Sequence, residues 1–454
     1  MPIRSLFIAN RGEIAVRIIR AARELGIETI QAYSDADADS LAVQIADRSV
    51  NVGPPHATKS YLNIEGMVEA ARQSGADAVH PGYGFLAENP DFADAVAAAG
   101  MVFVGPDGNT IRMMGDKVSA RQAAIRAGVP VVPGSEGRIE DPSKARALAE
   151  EIGFPVMIKA AAGGGGRGIR IAASMEEFEQ ALPQARAEAQ AAFGDGGLYI
   201  EKVIGQARHI EVQVLGDGTD VVHCFERECS LQRRRQKVWE EAPSASLTQD
   251  IRDSLCDSAV ALARAVNYSG AGTVEYLYDD QTGDYYFIEM NTRIQVEHPA
   301  TEWITGIDLV AEMLRIADGQ PLRLAQRDVI CHGHAIEVRL NAEDPANGFM
   351  PFPGVVGDLR LPGGPGVRFD SMLYSGYAIP PFYDSLLGKL IVWADTREAA
   401  IIRLDSALSE LEIAGVKTTK PLFRALAADD AVRSGAVHTK WLEGWLEDNA
   451  TNLT

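Results

Sequence analysis

The chain has 454 residues, long for a single hydrophobic core, so two or three domains are expected. Its 43 Lys and Arg stand against 63 Asp and Glu, a net charge of −20; this excludes general nucleic-acid binding through a basic face and means that any anion site must gather its own cations. The cysteines Cys224, Cys229, Cys256 and Cys331 form no C-x-x-C pair, so neither a zinc site nor a redox couple is indicated, and scattered thiols suit a reducing, cytoplasmic setting. No signal peptide and no run of apolar residues long enough for a membrane span is read from the sequence.

Residues 5–9 are a short apolar run, and 12–25 carry Ile14, Val16, Ile18, Ile19 and Leu25 in an apolar stripe ended by Gly26. A strand is expected at 28–33, a helix at 63–74, a strand at 76–80, a helix at 90–99 and a strand at 101–104. Repeated βα units predict a doubly wound parallel sheet. Its first turn, Asn10-Arg11-Gly12-Glu13, has no G-x-G-x-x-G, so a dinucleotide site is not expected. Helices at 107–114 and 117–127 lead to the turn-rich Val129-Pro130-Val131-Val132-Pro133-Gly134. A small segment follows: helix 142–152, strand 156–159, a glycine-rich loop, strand 169–172, helix 175–191 and strand 198–203. From 205 strands are expected to dominate up to a helix near 308–317, interrupted by the basic Arg233-Arg234-Arg235-Gln236-Lys237. Strands at 335–340 and 387–394 with helices at 396–411 and in the tail give a mixed last part.

Two stretches carry chemistry. Ala162-Gly163-Gly164-Gly165-Gly166-Arg167-Gly168 lies between two strands just after Lys159. Consecutive glycines let backbone N–H groups close on phosphate oxygens, and a hairpin loop of this kind is a lid rather than a Walker A loop; a flexible linker is the other reading. The second stretch is Glu289-Met290-Asn291-Thr292-Arg293-Ile294-Gln295-Val296-Glu297. If it is extended, Glu289, Asn291, Arg293, Gln295 and Glu297 share one face, as a catalytic surface or a solvated edge strand would. Upstream, a three-residue hairpin loop Gln281-Thr282-Gly283 would pair Asp280 with Asp284 and so place Glu275 opposite Glu289. Facing carboxylates repel unless a cation lies between them, and the oxygen-only set Glu275, Glu289 and Asn291 suits Mg²⁺ or Mn²⁺.

Together with Ile8-Ala9-Asn10-Arg11-Gly12-Glu13-Ile14-Ala15, the string from His80 to Asn89, Met114-Gly115-Asp116-Lys117, the string from Gln232 to Lys237, Glu240-Glu241-Ala242-Pro243 and the string from Phe287 to Pro299, these features resemble the biotin carboxylases of the ATP-grasp superfamily, to about Leu442. The resemblance implies a Rossmann-like N-terminal domain (1–114), a helical linker (115–132), a mobile ATP-grasp lid (133–204), a central catalytic domain (205–330) and a mixed α+β C-terminal domain (331–446). It implies ATP contacts at Lys117, Lys159, Gly165, Gly166, Glu201, Lys202, Val203, Ile204, His209, Gln232, Arg235, Glu275 and Glu289, and metal ligands at Glu275, Glu289 and Asn291. It implies a bicarbonate pocket of Lys237, Arg293, Gln295, Val296 and Glu297. Glu297 would be the base for bicarbonate, kept ionised by Arg293; Arg339 would hold biotin's ureido oxygen, with Tyr83 as a second biotin contact. Three departures stand out: Arg235 replaces a usual His, Ala162 replaces a glycine, and the loop at 279–284 is about two residues longer than in some relatives.

The implied reaction is ATP-dependent carboxylation of biotin by bicarbonate through carboxyphosphate, the first half-reaction of an acetyl-CoA carboxylase or related carboxylase. The competing readings are another ATP-grasp ligase and a degenerate, ATP-binding regulatory protein. No Met-Lys-Met biotinylation site occurs, and the chain ends before a carrier domain could fit, so the expected partners are a separate biotin carboxyl carrier protein and carboxyltransferase subunits. A homodimer is implied, with Arg17, Arg20 and Glu24 at its contact. Cys229 is read as a packed thiol, and His80 and His298 as structural hydrogen-bonders.

Overall fold

A computed structural model describes residues 2–135, 137–160, 169–193, 196–449 and 453. The N-terminal part is a five-stranded, all-parallel sheet in the order Arg48–Gly53, Glu28–Ser34, Ser5–Ile8, Ala78–His80, Val102–Phe103. The Ser5–Ile8 strand is apolar on both sides because both faces are covered: Leu6 and Ile8 join the core under the Gly12–Glu24 helix, while Phe7 joins the opposite core with Met67 and Phe92. This is the doubly wound sheet read from the sequence. The helices Ile64–Gln73 and Pro90–Ala98 start on Asn63 and Asn89, each side chain accepting a backbone N–H from the first turn.

The expected lid segment is a three-stranded antiparallel sheet, Ile169–Ala172, Val156–Ala160 and Leu198–Lys202, backed by the helices Pro142–Ile152 and Met175–Phe193 over a small core around Ile158, Phe178 and Ile200. The glycine-rich loop, with Gly165 and Gly166, lies outside the described residues.

With two two-stranded sheets and a set of C-terminal helices beside it, the rest of the described chain is built around one eight-stranded antiparallel sheet. Its order is Tyr285–Asn291, Ser269–Asp279, Ala207–Asp217, Val221–Arg233, Gln236–Ala242, His334–Asn341, Leu386–Ala394, Val367–Ser371. Gln236–Ala242 pairs with His334–Asn341, so the sheet runs unbroken across residue 330 and puts Arg339 in the same sheet as Glu275. Strands dominate from 205 to 308 as expected, but two helices interrupt them. A helix, Gln249–Ala265, packs on the sheet through Leu255, Cys256, Ala259 and Leu262, and a second, His298–Thr305, follows the polar stretch. Thr248 caps the first of these by accepting from the Ile251 N–H, a start signal present in the sequence and passed over. No helix among the described residues is long and apolar enough to cross a membrane.

Candidate active site

Strand alternation builds the site. In Ala207–Asp217, Ile210, Val212 and Val214 turn into the core, which leaves His209, Glu211 and Gln213 on the other face. Register then aligns a row across four strands: Arg227 opposite Glu211, Glu211 opposite Glu275, and Glu275 opposite Glu289. Three adjacent carboxylates in one row repel one another, so cations must sit against them.

Two cations do. The Arg227 guanidinium is fully buried and donates to Glu211, Gln213, Thr301, Thr273 and Gln295, at 2.7–3.2 Å. The Lys237 ammonium comes from the neighbouring hairpin strand and donates to Glu211, to Glu275 at 2.9 Å and to Glu297 at 2.8 Å. Burial would lower the Lys237 pKa, but Glu211, Glu297 and Glu275 raise it well above the ordinary lysine value. In turn, burial would raise Glu275 and Glu297. Lys237 and His209 instead hold Glu275 below the usual carboxylate range, and Lys237, Arg339 and Arg227 do the same for Glu297.

The expectation that Arg293 keeps Glu297 ionised is therefore corrected. Arg293 is bound by Glu88 at 2.9 Å and by the Asn291 side-chain carbonyl oxygen at 3.0 Å. Glu297 is held by Lys237 and by Arg339 Nη2 at 2.9 Å. Arg339 Nε also donates to Glu240 at 2.6 Å. Burial pushes the Glu240 carboxyl up to about 7, Arg339 opposing and the Glu297 charge adding to the rise.

The hairpin places Glu275 opposite Glu289 as expected, by a different route. The loop is closed by Asp279 and Asp284, with the Asp279 N–H donating to the Asp284 carbonyl at 2.8 Å, so four residues turn rather than three. A bulge then adds a residue, since Tyr276 pairs with Phe287 while Glu275 pairs with Glu289. The two departures cancel. Gly283 is left-handed at φ +77°, as a turn there requires. The polar stretch also differs from expectation. The strand ends at Asn291, and Glu297 caps the His298–Thr305 helix instead of continuing a strand. The residues still converge, because Asn291 and Gln295 both donate to Glu275 Oε1, at 2.9 Å each.

Tyr83, His209, Gln232, Arg235, Lys237, Glu275, Glu289, Asn291, Arg293, Gln295, Val296, Glu297 and Arg339 all line one cleft of about 1150 Å³. Arg235 shares a tight two-residue hairpin with Arg234, at φ +64° and +49°, and stands exposed at its rim. Lys117, Lys159, Glu201, Lys202, Val203 and Ile204 do not line it: Lys159 pairs with Glu201 across the lid sheet, and Lys117 is exposed at the start of the Lys117–Arg126 helix, near enough for its charge to act on Glu289. The Lys202 ammonium is turned away and caps a helix end at the Gly153 and Phe154 carbonyls, at 3.0 and 3.2 Å, and its backbone N–H donates to the Pro133 carbonyl at 2.8 Å. Arg17 is likewise turned inward, paired with Glu302 at 2.8 Å and Asp308 at 2.6 Å, so of the helix-face trio only Arg20 and Glu24 are exposed.

Sequence reasoning assigned no role to Arg227, Glu211, Glu240 or Glu88. Cys229 is fully buried, and burial raises its thiol well above the ordinary value, as a packed residue requires. His80 and His298 are fully buried behind the cleft, bound to the Gly82 N–H and the Gln295 carbonyl, the structural role read for them.

Comparison with known proteins agrees with this geometry. Residues 2–111 match the biotin carboxylase N-terminal domain, 116–325 the ATP-binding domain of the carbamoyl-phosphate synthase L chain, and 337–444 the biotin carboxylase C-terminal domain. Biotin carboxylase 1 of Bacillus subtilis is 52% identical over 97% of this chain and 98% of its own length. The biotin carboxylase of Pseudomonas aeruginosa is 51% identical over 97% of this chain and 98% of its own length. The biotin carboxylase domain dimer of Hydrogenobacter thermophilus 2-oxoglutarate carboxylase, solved with MgADP, ADP and bicarbonate, superposes with a TM-score of 0.86 at 47% identity, covering 99% of both chains. The antiparallel sheet, its carboxylate row and the matched ATP-binding segment define an enzyme of the ATP-grasp class. Within that class, the chain belongs to the biotin carboxylase family.

Proposed function

We propose that the protein carboxylates biotin with bicarbonate and ATP by way of carboxyphosphate, with biotin presented on a separate carrier protein and passed on to carboxyltransferase subunits of an acetyl-CoA or related carboxylase. A homodimer is the proposed assembly. One observation carries this reading: Glu297 is clamped between Lys237 and Arg339 at the base of the cleft, beside Gln295, Val296 and Arg293.

The groups have complementary work. Bicarbonate is a planar anion, and the Arg293 fork suits it when bicarbonate competes with Glu88. Glu297, ionised and buried, takes the bicarbonate proton as a bicarbonate oxygen attacks the terminal phosphorus of ATP and ADP leaves, giving carboxyphosphate. The adjacent Lys237 offsets the charge that builds on the transferred group. Carboxyphosphate releases CO₂ and phosphate; the phosphate takes the N1 proton of biotin as N1 bonds to CO₂, and Arg339 offers N–H donors to the ureido oxygen, which becomes negative. Tyr83 is proposed as a further biotin contact at the cleft wall.

The oxygen donors of Glu275, Glu289 and Asn291 fit Mg²⁺ or Mn²⁺, since two carboxylates face each other without a cation of their own at Glu289. The metal would neutralise the ATP phosphates during transfer. Burial and the facing Glu275 raise the Glu289 carboxyl, with Lys117 opposing. Glu289 is exposed to the cleft and accepts no hydrogen bond among the described residues, so Glu289→Gln is expected to raise the metal concentration needed for turnover roughly tenfold or more. Its unfolding midpoint should match the parent's; titrating Mg²⁺ in a coupled ATPase assay beside a thermal melt checks both.

The function is tested by ATP hydrolysis. It should depend on bicarbonate and rise with free biotin. Stimulation by ammonia or glutamine instead would assign the cleft to a different ATP-grasp ligase.

A further inference from the structure

Lys389 is fully buried in the Leu386–Ala394 strand and has no part in the chemistry above. Its cross-strand partner is Arg339. Two cations thus leave neighbouring strands side by side and reach the same turn: Arg339 binds the Glu297 carboxylate, and the Lys389 ammonium donates to the Val296 carbonyl at 2.7 Å. On its other side the ammonium meets Glu13 Oε1 at 3.0 Å. The Tyr83 hydroxyl donates to that same Glu13 oxygen. Glu13 opens the Gly12–Glu24 helix of the parallel-sheet domain and is itself buried. The neighbouring Asp370, opposite Lys389 on the next strand, is occupied by Arg368 at 2.6 Å.

An ammonium stripped of water is tolerated only with partners of this kind, and a backbone carbonyl is an unusual one to hold with a buried charge. The Val296–Glu297 turn belongs to neither the strand that ends at Asn291 nor the helix that begins at His298, so side-chain anchors decide its position. We propose that Lys389 is a positioning residue: it locks the Val296–Glu297 turn, and with it the base and the bicarbonate pocket, to Glu13 and Tyr83 of the N-terminal domain. This role rests on the carboxylation reading. It matters because a misplacement of about 1 Å in a reacting constellation costs on the order of 100-fold in rate.

The test compares the parent with Lys389→Met and the double variant Glu13→Gln/Lys389→Met, which removes both charges and so leaves no lone carboxylate at Glu13; the other buried carboxyl that Lys389 acts on, Glu337, is pushed up by burial. Bicarbonate KM and kcat are measured in bicarbonate-dependent ATP hydrolysis, ADP affinity by calorimetry, and folding by a thermal melt. The double variant is expected to fold and to bind ADP within about twofold of the parent, while its bicarbonate KM rises and its kcat falls about tenfold or more each. A folded double variant with bicarbonate KM and kcat within about twofold of the parent overturns the role. So does a loss of ADP affinity in step with turnover, the mark of a merely structural residue. A parent without bicarbonate-dependent hydrolysis sinks the carboxylation reading and this role together; an active parent beside an unaltered double variant sinks the role alone.

Discussion

Lys237→Met is expected to lower bicarbonate-dependent turnover by about 10²–10³-fold and stability by about 3–5 kcal/mol. Methionine preserves most of the stem and deletes the ammonium that bonds Glu211, Glu275 and Glu297. Removing one partner of a buried ion cluster costs more than the cluster contributes, because the survivors stay buried with their charge. Here the survivors are three carboxylates: Arg227 bonds Glu211, Arg339 still bonds Glu297, and His209 is left to Glu275. The pH dependence separates this cause from ordinary loss of packing. In the parent, Glu275 and Glu297 are held below the usual range. Their contribution to stability is thus present above about pH 4.3 and drains away as pH falls below it. In the variant, burial acts without Lys237 and moves both carboxyls up, Glu275 more than Glu297, on which Arg339 and Arg227 still act. A raised carboxyl binds protons in the folded state first, so acidification from about pH 8 to 5.5 should stabilise the variant by more than the parent, in which Glu240 already titrates at about 7. Thermal melts at the two pH values decide it. A midpoint that responds to acid alike in parent and variant shows that Lys237 is not what holds these groups ionised.

Much of this site was legible because β-strand alternation is local. His209, Glu211 and Gln213 stand two apart, as do Glu289 and Asn291, and those spacings alone put them on shared faces. Register was harder. Glu275 was placed opposite Glu289 by assuming a three-residue loop, whereas a four-residue loop and a bulge offset each other. Bulges leave little trace in one sequence, since they depend on how neighbouring strands twist. The polar stretch was continued too far as a strand: Val296 and Glu297 are bent into a turn whose anchors, Lys389 and Arg339, lie some 40 to 90 positions later in the chain. Arg227 was invisible for the same reason. In the run Phe225-Glu226-Arg227-Glu228 it reads as a solvated charge, yet five buried acceptors from four segments converge on it. The Gln249–Ala265 helix shows the opposite failure. Its signal was local, a Thr cap before apolar residues at helical spacing, but small side chains such as Ala259 and Ala263 made the stripe faint.

Glu297→Gln should cost about 10²–10⁴-fold in bicarbonate-dependent turnover, the range for loss of a general base. Glutamine is nearly isosteric and its carbonyl can still accept from Lys237 or Arg339, so the fold should survive while proton removal does not. The defect should also be independent of pH in a defined window. Lys237, Arg339 and Arg227 outweigh burial and keep Glu297 ionised far below neutrality, so the parent gains no base as pH rises. Burial raises two carboxyls that feel the Glu297 charge: Glu337, which accepts no hydrogen bond among the described residues, and Glu240, which bonds Arg339 and is brought to about 7. Removing the Glu297 charge takes repulsion away from Glu240 and moves it lower still, so above about pH 7.5 it is ionised in both enzymes and cancels from their ratio. From about pH 7.5 to 9 the ratio of parent to variant rates is expected to stay flat. A ratio that climbs about tenfold per pH unit across that window would mean that the group accepting the proton titrates there, and that the base is some residue other than Glu297.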